Sequence, residues 1–383
     1  MSEIERLKAA IATAPNVPLG DLIEPVLGQV NKDGFDYPFM GVNIAKQIVP
    51  TVANTSTVNP RKYVYIKNRQ FVFSGMQTGR DECIRFTIYT GNTPVLLSPA
   101  YTILKVKDSN VVIPEYIFAN FLSSEMDRLG WFYSDSSVRA NLDLPRFLDI
   151  KIPLPPIEVQ QQYVDAYSGL RKLAEENEAL LEPLSKACQA YLAEVNSQYS
   201  QVRLGDYIDE FVKINADNSI KDVRGVSVSK HFVLTNAKVD KSDLSKYKIV
   251  PPLHIAYVQT TKNEKCFAFA INTSNSPVVV SSVDRVIFSS KPDMLSIEFL
   301  ALWFMREEWD RYAIFNSWGS AREVFSYEDL CNSTIPLPPI EVQQSIVALH
   351  RCAEEARIIA AKARETLSTI CPAMIQRASH KVD

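Results

Sequence analysis

The chain carries two copies of one unit. Ile152-Pro153-Leu154-Pro155-Pro156-Ile157-Glu158-Val159-Gln160-Gln161 recurs unchanged from Ile335 to Gln344, a shift of 183 residues. Ten consecutive identities do not arise by chance, and self-similarity at a fixed period outranks any local pattern. Weaker echoes keep nearly the same shift. Val17–Ile23 resembles Val202–Ile208, Gly41-Val42 matches Gly225-Val226, Lys62-Tyr63 matches Lys246-Tyr247, and Glu115–Ile117 resembles Glu298–Leu300. The two halves of the 383 residues must therefore share a fold, and each half is long enough to bury its own core.

Each copy changes texture once. Its first portion, 1–150 and 198–334, is rich in β-branched and aromatic residues punctuated by Pro, Asn, Gly and Ser. Tyr63–Ile66, Phe71–Phe73, Ile84–Tyr89 and Tyr101–Val106 read as strands, as do Lys248–Val250, Ile255–Val258, Phe267–Ala270 and Val278–Val280. One helical stretch is expected in each, Glu115–Leu129 and Ile297–Phe315. These portions read as α+β domains.

The second portions, 151–197 and 335–383, read as long helices entered through proline. In the first, Tyr163, Ala166, Leu170, Leu173, Asn177, Leu180, Leu184, Ala187 and Tyr191 alternate spacings of three and four. The same register in the second gives Ile346, Leu349, Ala353, Ala356, Ala360, Ala363, Leu367, Ile370 and Met374. Heptads held this long signal a coiled coil, with Asn177 as a polar seam residue that fixes register. The simpler alternative is a helix packed on its own domain. Pro183 and Pro372 are expected to kink or end the helices.

Composition excludes more than it assigns. No apolar run is long enough for a membrane span. Met1–Lys8 alternates charged and apolar residues rather than forming a secretory leader, so a cytoplasmic location is expected. The six cysteines, Cys83, Cys188, Cys266, Cys331, Cys352 and Cys371, form no C-x-x-C pair, and free thiols and no metal site are expected. The phosphate-binding loop G-x-x-x-x-G-K-[ST] is absent. So is the Asn/Asp-Pro-Pro-Tyr motif of amino-methyltransferases. Net charge is -3; residues 17–150 hold 13 basic and 13 acidic side chains, 198–334 hold 16 and 17, and the helical 151–197 hold 4 and 7. The large domains are thus near neutral, which neither marks nor excludes a nucleic-acid partner.

Two α+β domains alternating with two long helices, each introduced by the duplicated Pro-Leu-Pro-Pro motif, resemble the specificity subunits of type I restriction-modification systems. Ser137–Leu142 and Ser320–Phe325 are similar to that family's lead-in to the helix. The resemblance covers essentially the whole chain. It implies two target-recognition domains that each read half of a split double-stranded DNA site, and helices paired as an antiparallel coiled coil. It implies docking of two methyltransferase subunits, joined by restriction or translocase subunits. The chain itself would be non-catalytic and hold no cofactor; S-adenosylmethionine, ATP and Mg would serve the partners. A protein-linking adaptor is the rival reading of the same helices.

Base reading needs donors and acceptors on loops beside cations that hold phosphate. In the first domain the candidates are Gln77, Thr78 and Arg80, with Arg61, Lys62, Arg69 and Arg85. In the second they are Gln259, Thr260, Lys262, Asn263 and Lys265. A second pair of stretches, with Ser137 and Arg139, and with Ser320 and Arg322, precedes the proline motifs. Polar hairpin turns and helix-capping loops would have the same composition.

Overall fold

The computed structural model describes residues 3–56, 58–76, 78–135, 140–235, 242–260, 266–319 and 323–379, with side chains between 6 and 368. It divides into two compact units, Met1–Asn177 with Ile359–Asp383, and Glu178–Ile358. Each long helix is therefore shared between the units and forms no body of its own.

The first unit opens with α1 (Glu3–Ala12), β1 (Asn16–Pro18), a short turn α2 (Leu19–Leu22) and β2 (Ile23–Pro25). A hairpin of β3 (Met40–Val42) and β4 (Ile48–Pro50) follows, then β5 (Val64–Ile66), β6 (Phe71–Ser74) and the turn α3 (Thr78–Asp81). Next come β7 (Arg85–Ile88), β8 (Val95–Leu97), β9 (Thr102–Val106), α4 (Pro114–Asn120), α5 (Ser124–Tyr133) and α6 (Leu144–Leu148). β10 (Lys151–Pro153) leads into α7 (Ile157–Gln198). The sheet order is β2-β9-β6-β7, all antiparallel. Strand β6 is buried throughout. Alternation sends Phe71 and Phe73 into the core under the helices and Val72 into a second core shared with β3, β5 and β8.

The second unit repeats this plan. After α7 come β11 (Gln201–Arg203), β12 (Ile208–Glu210), the hairpin β13 (Arg224–Val226) and β14 (Phe232–Leu234), β15 (Lys248–Val250), β16 (Ile255–Tyr257), β17 (Phe269–Ile271), β18 (Val278–Val280) and β19 (Arg285–Ser289). Then come α8 (Ile297–Phe304), α9 (Glu307–Phe315), α10 (Tyr327–Asn332), β20 (Thr334–Pro336) and α11 (Ile340–Ser379). The sheet order β12-β19-β16-β17 matches that of the first unit.

Three expectations need correction. The single helical stretches are each two helices. Ser123 breaks the first, its side chain accepting from the Met126 N–H to start α5, and the second breaks between Phe304 and Glu307. Neither proline ends its helix: α7 runs through Pro183 and α11 through Pro372. The α7 seam also differs by one residue in every second step. Leu173 and Leu180 are 42% and 49% exposed, and Tyr191 is exposed too, whereas Ala174, Cys188 and Leu192 are buried. The covered line runs through buried Tyr163, Ala174 and Cys188, with Leu170, Asn177, Leu181 and Leu184 half-buried between them. Adjacent helix positions differ by about 100°, so the larger leucines misdirect the reading where both neighbours are apolar. Asn177 donates to the Leu173 carbonyl at 2.8 Å, a bond within its own helix.

In α11, Ala356, Ala360 and Ala363 are buried, and Leu349, Ala353 and Leu367 half-buried. Leu170 and Leu367 join the core of the first unit; Cys188, Leu192 and Val195 meet Ile346 and Leu349 in that of the second. The start of each helix thus packs with the end of the other, an antiparallel coiled coil. Leu173→Ala should leave thermal unfolding of the chain within about 0.5 kcal/mol of wild type. Ala174→Leu should destabilise it by about 1–3 kcal/mol through overpacking. Equal effects would place the seam wrongly.

The repeated proline motif is a socket. β1 pairs with β10 through Val17 opposite Ile152, and β11 with β20 through Val202 opposite Ile335, so each domain starts and ends side by side. Gln160 is fully buried. It accepts from the Ile113 N–H at 2.9 Å and donates to the carbonyls of Val111 at 3.1 Å and Pro155 at 2.9 Å. Gln343 does the same with Ser296, Met294 and Pro338. One amide meets three backbone groups that burial would otherwise leave unpaired, at a cost of about 1–3 kcal/mol each.

Candidate nucleic-acid interface

The loops singled out by sequence converge in pairs. In the first unit the Leu142 N–H donates to the Gly75 carbonyl at 2.8 Å, and the Gly79 N–H to the Ala140 carbonyl at 2.9 Å. The stretch after β6 is thereby laced to the stretch before α6. In the second unit the Phe325 N–H donates to the Gln259 carbonyl at 2.8 Å, and Thr260 bridges Val324 antiparallel. Phe325 is the repeat partner of Leu142, so the same joint is built twice. Glycine is required at 75, where an added Cβ would lie 1.6 Å from the Leu142 carbonyl oxygen.

An arginine stands beside each joint. Arg85 pairs across the sheet with Ser74, at the loop end of β6, and is ion-paired with Asp81. Arg285 is opposite Tyr257, at the loop end of β16, and its Nη1 lies 2.8 Å from Glu210 Oε1, a hydrogen bond that raises its already high pKa. The Nε of each arginine is buried with no partner among the described residues. Arg80 is exposed, its Nε 3.4 Å from Asp81 Oδ1.

Other candidates separate from this surface. Thr78 is fully buried, and its hydroxyl donates to the Gly75 carbonyl at 3.1 Å, so it supports the loop and cannot face a duplex. Arg69 sits at the other end of the four-residue β6, about 13 Å along at the usual strand rise, and pairs with Glu115 at 2.9 Å. Arg61 and Lys62 are exposed on the 3-10 turn Pro60–Lys62 before β5, with the Arg61 side chain against Gly34. Gln259 is half-buried, its Nε2 3.5 Å from the Val283 carbonyl, and Thr260 is half-buried beside it. Gln77, Ser137, Arg139, Lys262, Asn263, Lys265, Ser320 and Arg322 lie outside the described residues.

Sequence reading missed two features of this surface. Phe132 at the end of α5 and its repeat partner Phe315 at the end of α9 are strongly exposed, each a few residues before the second loop. Superposing the two copies by their shift would have exposed that match. The second feature is an inward-turned lysine in each unit, buried at Lys46 and half-buried at Lys230. Lys46 turns the β3–β4 hairpin with a left-handed φ of 59° and sends its side chain inward. Its Nζ lies 2.8 Å from Asp127 Oδ1 and also donates to the Phe121 carbonyl. Lys230, at φ 61°, lies 2.8 Å from Asp310 Oδ2 and donates to the Phe304 carbonyl at 2.8 Å.

Among the described residues no cluster of three or more His, Cys, Asp or Glu side chains could hold a metal ion, and no helix is long and apolar enough to cross a membrane. Burial pushes the Cys83 thiol pKa up, away from thiolate chemistry.

Residues 19–183 match the family described as the type I restriction modification DNA specificity domain. No curated protein matches the chain in sequence. Among solved structures, the S subunit of a type I restriction-modification system from M. genitalium is similar over 95% of this chain and 96% of its own, with a TM-score of 0.58 and 8% identity, a likeness of fold. The HsdS subunit from Thermoanaerobacter tengcongensis aligns over 96% of both chains at 16% identity, but its TM-score of 0.41 is too low to bear on the fold. The sequence match spans the first α+β domain and more than half of α7, and the sheet order of the second half repeats that of the first: over residues 19–183 the chain is similar to the type I restriction modification DNA specificity domain.

Proposed function

We propose that the chain selects a bipartite double-stranded DNA site, each unit reading one half through its paired loops. The observation that carries this reading is the joint built twice, Leu142 on Gly75 and Phe325 on Gln259, with an arginine beside each. Two independent surfaces of one design suit two half-sites. Methyl transfer and ATP-driven steps belong to partners: two methyltransferase subunits, with restriction or translocase subunits joining them. S-adenosylmethionine, ATP and Mg are theirs, and this chain does no chemistry of its own.

The exposed stripe of α7 supports docking along the helices. Leu173, Leu180 and Tyr191, at spacings of seven and eleven, share one exposed face of the helix. Leu173→Ala combined with Leu180→Ala should weaken assembly with the modification subunits while sparing the chain's own stability.

Methylome sequencing of cells that express the chain with its cognate modification subunits tests the reading. A split methylated motif is expected. Arg80→Ala or Gln77→Ala should relax the first half-site alone, at about 1–3 kcal/mol per lost bidentate contact. Lys262→Ala and Lys265→Ala should weaken binding more evenly and flatten its salt dependence, as lost phosphate contacts do. Unchanged motif and affinity in all four variants would remove these loops from the interface. No sequence-selective methylation at all would favour the adaptor reading.

A further inference from the structure

Each recognition loop leaves its joint and returns to the sheet at a second fixed point. In the first unit that point is the Ile84 N–H, which donates to Asp127 Oδ1 at 2.9 Å instead of entering the strand ladder. In the second it is the Phe267 N–H, which donates to Asp310 Oδ1 at 2.9 Å. The carboxylate that receives it is the one that receives the inward-turned lysine of the hairpin. The residue just before adds a further contact: the Cys83 thiol lies 3.1 Å from the Ile44 carbonyl, and the Cys266 thiol 4.0 Å from that of Val228. One carboxylate thus ties three segments together: the tip of a hairpin, the junction of two helices, and the end of the loop. Lys46 is 5% exposed and Asp127 22%. A lysine placed inward at a left-handed turn residue, in both copies, is a costly arrangement for a purely structural contact.

We propose that the Lys46–Asp127 and Lys230–Asp310 pairs are positioning elements for DNA reading, fixing where each loop returns to its sheet and so the geometry of its base contacts. The inference rests on the specificity reading above. The joint at Gly75 or Gln259 holds one end of the loop and the ion pair holds the other. Base contacts depend on donor placement within a few tenths of an ångström, so loosening one end lowers discrimination before it abolishes binding.

The test uses the complex of the chain with its modification subunits. Methyl transfer from S-adenosylmethionine is measured on the cognate site and on sites carrying one substituted base in either half. Lys230→Met and Asp310→Asn should each lower discrimination in the half-site read by the second domain about tenfold, the loss of roughly one base contact. Discrimination in the other half should stay at the wild-type value, at temperatures well below each variant's unfolding transition. Lys46→Met and Asp127→Asn should reverse the pattern. If a single variant fails to fold, Lys230→Met with Asp310→Asn leaves no unpaired charge and keeps an acceptor for the Phe267 N–H. Reduced discrimination in that double variant supports the proposal. Full discrimination at both half-sites, in the single variants or in the double, overturns it and leaves the pairs a stabilising role only. Absence of selective methylation by the wild-type complex would instead defeat the specificity reading itself.

Discussion

Exchanging residues 17–150 for the corresponding domain of a relative replaces one half of the methylated motif and leaves the other half intact. The domain begins and ends on one ladder, with Val17 opposite Ile152, so the two junctions are neighbours in space. Its sheet and loops close on themselves, and its joint and its ion pair are both internal. The exchange meets one physical demand. Leu7 and Ile11 of α1, Tyr163 of α7 and Leu367 of α11 pack into the domain's core, so a donor must present an apolar face of similar volume to them. It must also keep the backbone groups at 111 and 113 that Gln160 binds. A donor that meets both demands should give a hybrid motif, read by methylome sequencing. A change in both halves would show that the domains do not read independently.

Lengthening both helices together should widen the unread spacer without altering either half-site. An insertion of four residues adds about 6 Å of helix at about 1.5 Å per residue. Duplex DNA advances about 3.4 Å per base pair, so the spacer should grow by one to two base pairs. Four residues is close to one turn, which keeps the seam nearly in phase. The heptads alone suggest sites after Ala174 and Arg357 but do not say which positions face each other. The chain divides into its two compact units after Asn177 in α7 and after Ile358 in α11, so insertion pairs at and around these points are the ones to try. Insertion in one helix alone should cost stability, because it shifts the buried Ala360 and Ala363 out of register with α7. A paired variant that folds, methylates and keeps the original spacer would show that the helices do not set that distance.

The repeat, the α+β texture and the heptads of α11 were all legible in the chain, because each is a pattern of residue type along the backbone. Ala356, Ala360 and Ala363 are placed on the seam by heptad spacing alone, although the larger Ile358 and Ile359 stand beside Ala360 and are exposed. The α7 seam could not be chosen, because Leu173 and Ala174 are both apolar, as are Leu180 and Leu181, and only the partner helix decides which is covered. Pro183 reads as a kink or an end, and α7 runs on through it. The loops around Arg80 and Gln259 were found from their polarity. That each joins a second loop 60 or more residues away is a tertiary fact, set by backbone pairing between the two loops. Lys46, Lys230 and Thr78 were misjudged or passed over for one reason. A lysine in a polar turn and a threonine in a polar loop read as surface, and nothing local reveals a carboxylate 80 residues on, or a carbonyl three residues back, that makes burial affordable. Residue type and spacing determined that this chain is a doubled domain strung on two helices. Which side chains face inward, and which loops share a surface, was decided by long-range pairing of groups that the sequence keeps far apart.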